Sequence, residues 1–275
     1  MNEASDFGKG AAMNFDHYPR ELHVERVDGV LTATINNPAE LNAVNEAIDD
    51  ALPDLFVDAD RDPETRVLVL TGAGRAFCAG GSLSMMQSGL DSLDGFMAGY
   101  QNGKRMLQSM IECDKPIIAK VNGDAIGLGA TLALFADVTI AAEEARFCDP
   151  HVKVGLVAGD GGSIIWPANM GYALAKYFLL TGEMVSAREA QAMGLIAKVT
   201  TRDELDAETD RIAQKLAKGA QQAIRFTKRV INIPLRRAFV EMADAGFALE
   251  AISSRHHDHG EGCNAFLEKR RPVFE

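Results

Sequence analysis

The sequence predicts an α/β fold followed by a helical C-terminal region. In the N-terminal half, short apolar segments typical of strands alternate with longer segments whose apolar residues recur at helical spacing. Glycine-bearing turns follow two of these strands. Beyond residue 199 only the helical spacing of three and four residues continues. These observations favour a covered sheet with helices added at its end.

The strands and helices follow in order along the chain. Residues 30–35 alternate apolar and polar side chains, which predicts a half-buried strand before a helix over 41–59. Residues 67–70 are wholly apolar, as in a strand with both faces covered. Strand patterns at 116–121 and 138–142 follow this one, with helical patterns at 95–112 and 129–136; the C-terminal helical patterns lie at 203–217, 219–230, 235–254 and 260–269.

The chain is predicted to fold as one unit with three parts. Residues 1–20 contain charge and glycine but no apolar run of the length that a secretory signal needs, so we expect a loose extension there. The α/β core spans 21–200 and the helical region spans 201–275. No linker rich in serine, glycine or proline separates them. The C-terminal helices are therefore expected to cover the core or a neighbouring subunit.

Composition and charge disfavour several classes of partner. The 275 residues include 28 Lys and Arg against 39 Asp and Glu, a net charge of −11 that repels nucleic-acid phosphates and anionic lipid headgroups. The longest nearly apolar stretch, 125–136, is too short to cross a bilayer. The four cysteines include no C-x-x-C pair, which fits a reducing cytosol. We therefore expect a cytoplasmic protein that binds neither nucleic acid nor membrane.

Two glycine-bearing turns follow strands, at residues 72–81 and 122–129. Neither fits the dinucleotide-binding or phosphate-loop pattern. Glycines at strand ends often serve only as turn residues. Two such turns that each direct a backbone N–H toward one point would form an oxyanion hole, in which one donor is worth about 10²–10³ in rate. A helix beginning near Leu128 would add the positive end of its dipole.

Four segments identify a family resemblance. Residues 76–83, AFCAGGSL, resemble the F-[SC]-A-G-x-D-[LI] segment of the crotonase superfamily, also called the enoyl-CoA hydratase/isomerase family, with Ser82 at the usual acidic position. Residues 37–43, NPAELNA, resemble its N-P-x-x-x-N-A turn. Residues 115–123 resemble its K-P-x-I-A-x-V-x-G strand, and residues 265–272 its A-F-x-E-K-R-x-P terminus. The resemblance runs from about residue 22 to the end.

The resemblance implies a crotonase-like spiral of ββα units closed by C-terminal helices, and homotrimers or dimers of trimers. It also implies acyl-CoA thioester substrates, with coenzyme A as part of the substrate and no tightly bound cofactor or metal. The oxyanion donors would be the backbone amides of Gly81 and Leu128. A leucine at the second position is compatible with this role, because any residue except proline offers a backbone donor.

The same resemblance assigns the coenzyme A contacts. Ala43, in the turn near the thioester, and Ala79, in the first glycine turn, would lie against the substrate. Phe266 and Lys269 match residues that contact the CoA adenine and phosphates. Without the motif, an exposed lysine is usually only solvated.

Thr131 and His151 stand where hydratases of this family carry their two glutamates. A threonine hydroxyl is no base near neutral pH, whereas an unperturbed histidine titrates near pH 6.5. Asp160, nine residues after His151, could orient the imidazole as in the second half of a hydrolase triad. The alternatives are an ordinary loop histidine and, for Asp160, a helix cap.

Three functions stay open from the residues. The leading interpretation is a hydratase or isomerase in which His151, with Asp160, replaces the glutamates. The first alternative is a hydrolase of β-diketones or thioesters that uses the same dyad. A second class is a CoA-binding homologue without activity. His256 and His259, one helical turn apart, lack the further ligands that zinc needs, and Cys78 is interpreted as a small buried apolar residue.

Overall fold

A computed structural model describes residues 12–86 and 92–275. The strands are β1 (Leu22–Val27), β2 (Val30–Ile35), β3 (Val67–Gly72), β4 (Ile117–Val121), β5 (Ala125–Ile126), β6 (Val138–Ala142), β7 (Arg146–Cys148), β8 (Val185–Ser186) and β9 (Lys198–Thr200). The helices are α1 (Glu46–Arg61), α2 (Leu93–Glu112), α3 (Leu128–Phe135), α4 (Gly162–Met170), α5 (Tyr172–Thr181), α6 (Ala187–Ala192), α7 (Arg202–Ala217), α8 (Gln221–Ile231), α9 (Ile233–Ser253) and α10 (His257–Leu267). Short 3₁₀ turns span Pro38–Glu40 and His151–Val154.

The main sheet has six strands in the order β1-β2-β3-β4-β6-β9. Only the β1–β2 hairpin is antiparallel, and the other neighbours run parallel. A second sheet joins the short strands β5, β7 and β8. The α/β class with a helical C-terminal region, predicted from the alternation of patterns, is confirmed.

The apolar strand pattern follows from burial on both faces of the sheet. On one face Leu68 and Leu70 of β3 contribute to the large core that includes α1 and α2. On the other face Val67 and Val69 contribute to a smaller core with α7. Since successive strand residues point to opposite faces, a strand covered on both sides has no polar position.

Helix α1 begins later than its apolar spacing predicts. Leu41 and Asn42 adopt left-handed backbone angles, with φ of 55° and 59°, which interrupt the helix predicted from residue 41. Asn45 then caps α1, because its side chain accepts a hydrogen bond from the Ile48 amide at 3.1 Å. The residues before Asn45 therefore form a turn, which lies beside the end of β3.

Residues 12–20, predicted to belong to a loose extension, pack against the rest of the fold. Residues 1–11 lie outside the described part of the chain, but Phe15 is buried in the core. The Met13 amide donates to Asp62 Oδ1 at 3.0 Å, and Arg26 pairs with Asp62 Oδ2 at 2.5 Å. Residues 12–20 therefore belong to the packed unit, because a buried carboxylate and an aromatic side chain hold them.

Helices α8 and α9 carry apolar side chains that the chain itself leaves exposed. Phe226, Val230 and Ile231 on α8 and Val240 on α9 are at least half exposed. Whether these helices cover a neighbouring subunit, as the family resemblance implies, stays a prediction. Among the described residues, no helix is both long enough and apolar enough to span a membrane.

Replacing Asp62 by alanine is expected to destabilise the fold by about 3 kcal/mol, because Arg26 keeps only its pair with the exposed Glu64 and the buried amide and hydroxyl of Thr65 lose their acceptor. The amide of Met13 also loses its acceptor, so its hydrogen exchange should accelerate. The matched control is Asp206→Ala, since Asp206 forms an exposed pair with Lys120 that is worth at most about 1 kcal/mol. Denaturant unfolding measures the free energy of unfolding of both variants. Equal decreases in the two variants would contradict the role of Asp62 in holding residues 12–20.

Candidate active site

The two glycine-bearing turns lie side by side. Cys78 and Ala125 form a parallel bridge, and the Ile126 amide donates to the Cys78 carbonyl at 2.9 Å. A side chain at Gly129 would lie 2.2 Å from that same carbonyl, so α3 can approach the first turn only with glycine there. The sequence prediction that both turns serve one site therefore agrees with their pairing.

The amides of Gly81 and Leu128 are free donors beside each other. Among the described residues, neither N–H donates to a protein acceptor. Gly80 adopts φ +94°, and a Cβ built there would lie 3.8 Å from the Leu128 nitrogen. Leu128 is the first residue of α3, so its amide is one of those that a helix leaves without an internal partner. That the two N–H groups receive one carbonyl oxygen stays a prediction.

The loop before α1 runs along the first turn and includes Ala43. The Val44 amide donates to Gly80 at 2.8 Å, and the Ala79 amide donates to Leu41 at 3.1 Å. Ala43 and Ala79 thus belong to two adjoining segments next to the free Gly81 amide. Contact of these residues with a coenzyme stays a prediction.

Ser82 and Cys78 have local roles in the first turn. Ser82, at the family's acidic position, is buried, and its Oγ accepts from the Met85 amide at 3.3 Å. The Cys78 thiol is fully buried, and burial raises its pKa to about 12. A thiol with that pKa is not a nucleophile near neutral pH.

His151 lies directly beside the second turn. The Gly127 amide donates to the Cys148 carbonyl at 2.8 Å, which fixes the strand end that leads into Asp149 and His151. His151 Nδ1 is 2.5 Å from Asp149 Oδ1, and the Asp149 side chain is 1% exposed. A buried carboxylate therefore orients the imidazole through Nδ1. Nε2 is left as the nitrogen that can bind or release a proton.

Asp160 does not make the orienting bond expected from the sequence. Its Oδ2 lies 3.7 Å from Nε2 of His151, on the side of the ring opposite Asp149. It does not cap α4 either, because the capping position belongs to Gly161. The orienting partner is Asp149, which the sequence analysis did not single out. Its place two residues before His151, in the sequence Asp-Pro-His, was the available signal.

Glu250 is a further site residue that sequence reasoning missed. Its Oε1 lies 3.9 Å from Nε2 of His151, and its side chain is 10% exposed. The residue is on α9, in line with the buried positions Phe239, Ala243 and Phe247. A glutamate on the apolar stripe of an amphipathic helix is the signal that could have identified it.

The pKa values of His151, Asp160 and Glu250 are shifted by burial and by their charged neighbours. Burial alone would lower the pKa of His151, but the carboxylates of Asp149 and Asp160, the Asp149 hydrogen bond and Glu250 outweigh it and raise that pKa well above 6.5. Burial raises the pKa of Glu250 to about 8, although the imidazolium opposes this. Burial likewise raises the pKa of Asp160. The cluster thus holds protons near neutral pH that isolated carboxylates would lose.

The same cluster is the place where the described residues could coordinate a divalent cation. Asp149, His151 and Asp160 each offer one ligand atom within 4.8 Å of the others. The Nδ1–Asp149 bond already uses one imidazole nitrogen, so a cation would have to share Nε2 with the acid–base chemistry. His256 and His259, to which the sequence analysis assigned no metal, have separate contacts: His256 caps α10, and His259 is buried and bonds the Val154 carbonyl at 2.7 Å.

The remaining predicted residues occupy separate positions. Thr131 on α3 is fully buried, and its hydroxyl has no hydrogen-bond partner among the described residues. Phe266, near the end of α10, is 60% exposed. Lys269 follows α10 with φ +55°, and the described residues offer its ammonium group no ion pair. Their contact with coenzyme A stays a prediction.

Comparison with known proteins agrees with this geometry. The sequence profile of the enoyl-CoA hydratase/isomerase family matches residues 25–275. The chain is 34% identical to 1,2-epoxyphenylacetyl-CoA isomerase of Escherichia coli over 92% of this chain and 96% of that protein. A crystal structure of an enoyl-CoA hydratase/isomerase from Mycobacterium paratuberculosis superposes with TM-score 0.87 at 37% identity, covering 90% of this chain and 99% of that one. A β-diketone hydrolase from the cyanobacterium Anabaena superposes with TM-score 0.79 at 30% identity, covering 85% and 94%.

Replacing Glu250 by glutamine is expected to lower the pKa of His151. The carboxylate facing Nε2 favours the imidazolium, and the neutral amide removes that attraction while keeping the side chain's shape. Titration of the imidazole signals by NMR measures the shift. Glu241→Gln is the matched control, because Glu241 lies on the same helix but is exposed. An unchanged His151 titration in the Glu250 variant would contradict the assigned electrostatics.

Proposed function

Because the chain belongs to the enoyl-CoA hydratase/isomerase family, we propose that it acts on an acyl-CoA thioester whose carbonyl oxygen binds the amides of Gly81 and Leu128. The observation that carries this proposal is the pair of unused backbone donors beside a buried, carboxylate-oriented imidazole. The Escherichia coli relative is named for a CoA thioester, which supports the same substrate class here.

The amide pair stabilises negative charge on the thioester oxygen. When a proton leaves or a nucleophile adds next to the thioester, electrons move onto that oxygen to give an enolate. Two fixed N–H donors, one of them at the positive end of α3, stabilise the enolate more than the neutral carbonyl. This preference for the charged form is what lowers the barrier.

In the proposed hydration, His151 and Glu250 carry out the proton transfers. Nε2 of His151 takes a proton from water while the water oxygen bonds to C3 of an enoyl thioester. The double-bond electrons pass to the thioester oxygen and then return to C2, which takes a proton from the Glu250 carboxyl group. The proton on His151 next moves to Glu250 and restores the site. The Nε2 distances of 3.7 and 3.9 Å to the two carboxylates exceed a hydrogen bond and suit a water between them.

The pH dependence follows from the direction of the shifts. The base form of His151 increases as pH rises through its raised pKa, whereas the acid form of Glu250 is lost above about pH 8. The active form holds the proton on Glu250 rather than on His151, and the two arrangements differ by one proton moved across 3.9 Å. The rate therefore has a bell-shaped pH profile that belongs to the cluster as a unit.

A second candidate is hydrolytic cleavage of a β-diketone. The similarity to the Anabaena β-diketone hydrolase favours it, as does the absence of glutamate at the positions of Thr131 and His151. In this reaction Nε2 takes a proton from water, and the oxygen bonds to one carbonyl carbon. The adjacent carbon–carbon bond breaks, and the leaving enolate takes at its carbon the proton that Nε2 of His151 received from water, which restores the neutral imidazole. The same amide pair and imidazole serve both reactions.

Product mass distinguishes the candidates. Purified protein is assayed with crotonyl-CoA, a longer enoyl-CoA and a panel of cyclic β-diketones. Hydration adds one water and keeps the thioester, whereas β-diketone cleavage gives a keto acid from a substrate without CoA. Turnover of an enoyl-CoA supports the proposal. Turnover of diketones alone supports the hydrolase, and binding of CoA esters without turnover supports the inactive homologue.

His151→Gln is expected to lower kcat by about 10²–10⁴-fold, because glutamine cannot accept the proton from water. The KM for the substrate should change little, since His151 moves a proton and does not hold the coenzyme. The matched control is His23→Gln, whose side chain is exposed on β1. Steady-state kinetics measures both variants, and a kcat that survives in His151→Gln rejects the acid–base assignment.

Lys269→Ala is expected to weaken binding of coenzyme A by about tenfold while leaving kcat nearly unchanged, because its ammonium group would pair with phosphate. Calorimetry with a non-reactive CoA thioester measures the affinity. Lys215→Ala, an exposed lysine on α7, is the control. If both variants bind with the same affinity as the parent protein, the coenzyme contact assigned to the C-terminal segment is wrong.

A further inference from the structure

The segment Gly159–Gly162 packs against three different parts of the site. A side chain at Gly159 would lie 2.3 Å from the Gly246 carbonyl on α9, one turn before Glu250. A side chain at Gly161 would lie 3.1 Å from Cγ2 of Thr131. At Gly162 it would lie 2.1 Å from Oδ2 of Asp149. The segment that carries Asp160 is therefore also the surface against which the other site residues rest.

Gly162 is the most informative of the three. It is the first residue of α4, and its backbone angles are ones that any L-residue can adopt. The obstacle to a side chain is therefore only the Asp149 carboxylate, since the next atoms, Asp149 Cγ and Ala158 Cβ, are 3.3 and 3.4 Å away. The distance of 2.1 Å is far below any real carbon–oxygen contact, so Asp149 would have to move.

The Asp149 carboxylate depends on this packing for its position. Oδ1 accepts from Nδ1 and from the backbone amide of His151, at 2.5 and 3.3 Å. Oδ2 is buried and has no hydrogen-bond partner among the described residues. Because one oxygen is held only by His151 itself, the backbone of Gly162 supplies the surface that keeps the carboxylate turned toward the imidazole.

We propose that Gly162 is a positioning residue, whose lack of a side chain lets the Asp149 carboxylate reach Nδ1 of His151 and so fixes the orientation of the imidazole. The inference concerns the same site as the proposed function and rests on it only for the activity readout. A second readout, the protonation of His151, does not depend on which reaction the site performs.

Four ionisable groups face His151 and set its response. Asp149 and Asp160 lie on the segments on either side of the ring, Glu250 is on α9, and His259 is on α10 behind the turn. Moving Asp149 away removes the nearest negative charge and the hydrogen bond to Nδ1. The other three groups stay in place, so the pKa of His151 falls toward its ordinary range but stays above it.

The test is Gly162→Ala in the full-length protein, with Gly260→Ala as matched control. A Cβ at Gly260, in the helical α10, meets no atom within 4 Å. The expected result for Gly162→Ala is a lower His151 pKa by NMR, assigned with His151→Gln, and a kcat about 10²-fold lower. Gly260→Ala should leave both unchanged. A His151 titration that Gly162→Ala does not move overturns the proposal, whatever happens to activity.

A double variant separates the specific contact from a general packing defect. In Asp149→Ala the carboxylate is gone, so adding Gly162→Ala should cost no further stability, although Gly162→Ala alone lowers the midpoint of denaturant unfolding. An equal loss of midpoint in both backgrounds overturns the proposal, because the clash is then not with Asp149. If Gly162→Ala alone fails to fold, recovery of folding in the double variant still shows that the clash at position 162 is with the Asp149 carboxylate. Failure to fold in both backgrounds counts against it.

Discussion

The buried pair between His151 and Asp149 is the interaction on which the site depends. A carboxylate that is 1% exposed is costly unless a positive partner lies in direct contact, and the imidazolium at 2.5 Å supplies that charge. Two more carboxylates, Asp160 and Glu250, face the other nitrogen of the same ring. One imidazole cannot neutralise three carboxylates, and burial raises the pKa of Asp160 and of Glu250, so these two acids hold their protons more readily than exposed carboxylates do. Groups with such raised pKa values are common where proton-transfer chemistry takes place.

The free amides impose a different kind of constraint, because they come from the backbone alone. They depend on the parallel pairing of the two turns and on glycines whose missing side chains permit the approach, not on the side chain at Leu128. Oxyanion stabilisation is therefore tolerant of substitution, whereas the acid–base groups are not. This difference fits the proposal that one fold retains the binding of a thioester oxygen while its acid–base residues vary.

The α/β class could be predicted from the sequence because strand alternation, glycine turns and helical spacing are patterns among neighbouring residues. The oxyanion role of the amides of Gly81 and Leu128 stays a prediction. Asp149 and Glu250 were missed for different reasons. Asp149 lies only two residues before His151, but spacing along the chain does not show which carboxylate bonds the imidazole. Glu250 lies far from His151 along the chain, on a helix whose position no local pattern defines. The start of α1 was predicted too early for a related reason, because apolar spacing does not report the left-handed turn at Leu41 and Asn42.

The position of the carboxylates also bears on which reactions the site can carry out. In a two-glutamate arrangement, each carboxylate acts directly on the substrate or its water. Here Asp149 lies at Nδ1 of the imidazole, whereas Asp160 and Glu250 lie near Nε2. In the proposed reactions Asp149 would therefore act only through the ring. A histidine with an orienting carboxylate activates water for attack on an electron-poor carbon, and that carbon can be C3 of an enoyl thioester or the carbonyl carbon of a diketone. The cluster therefore defines how water is activated, and the bound substrate defines which bond the water makes.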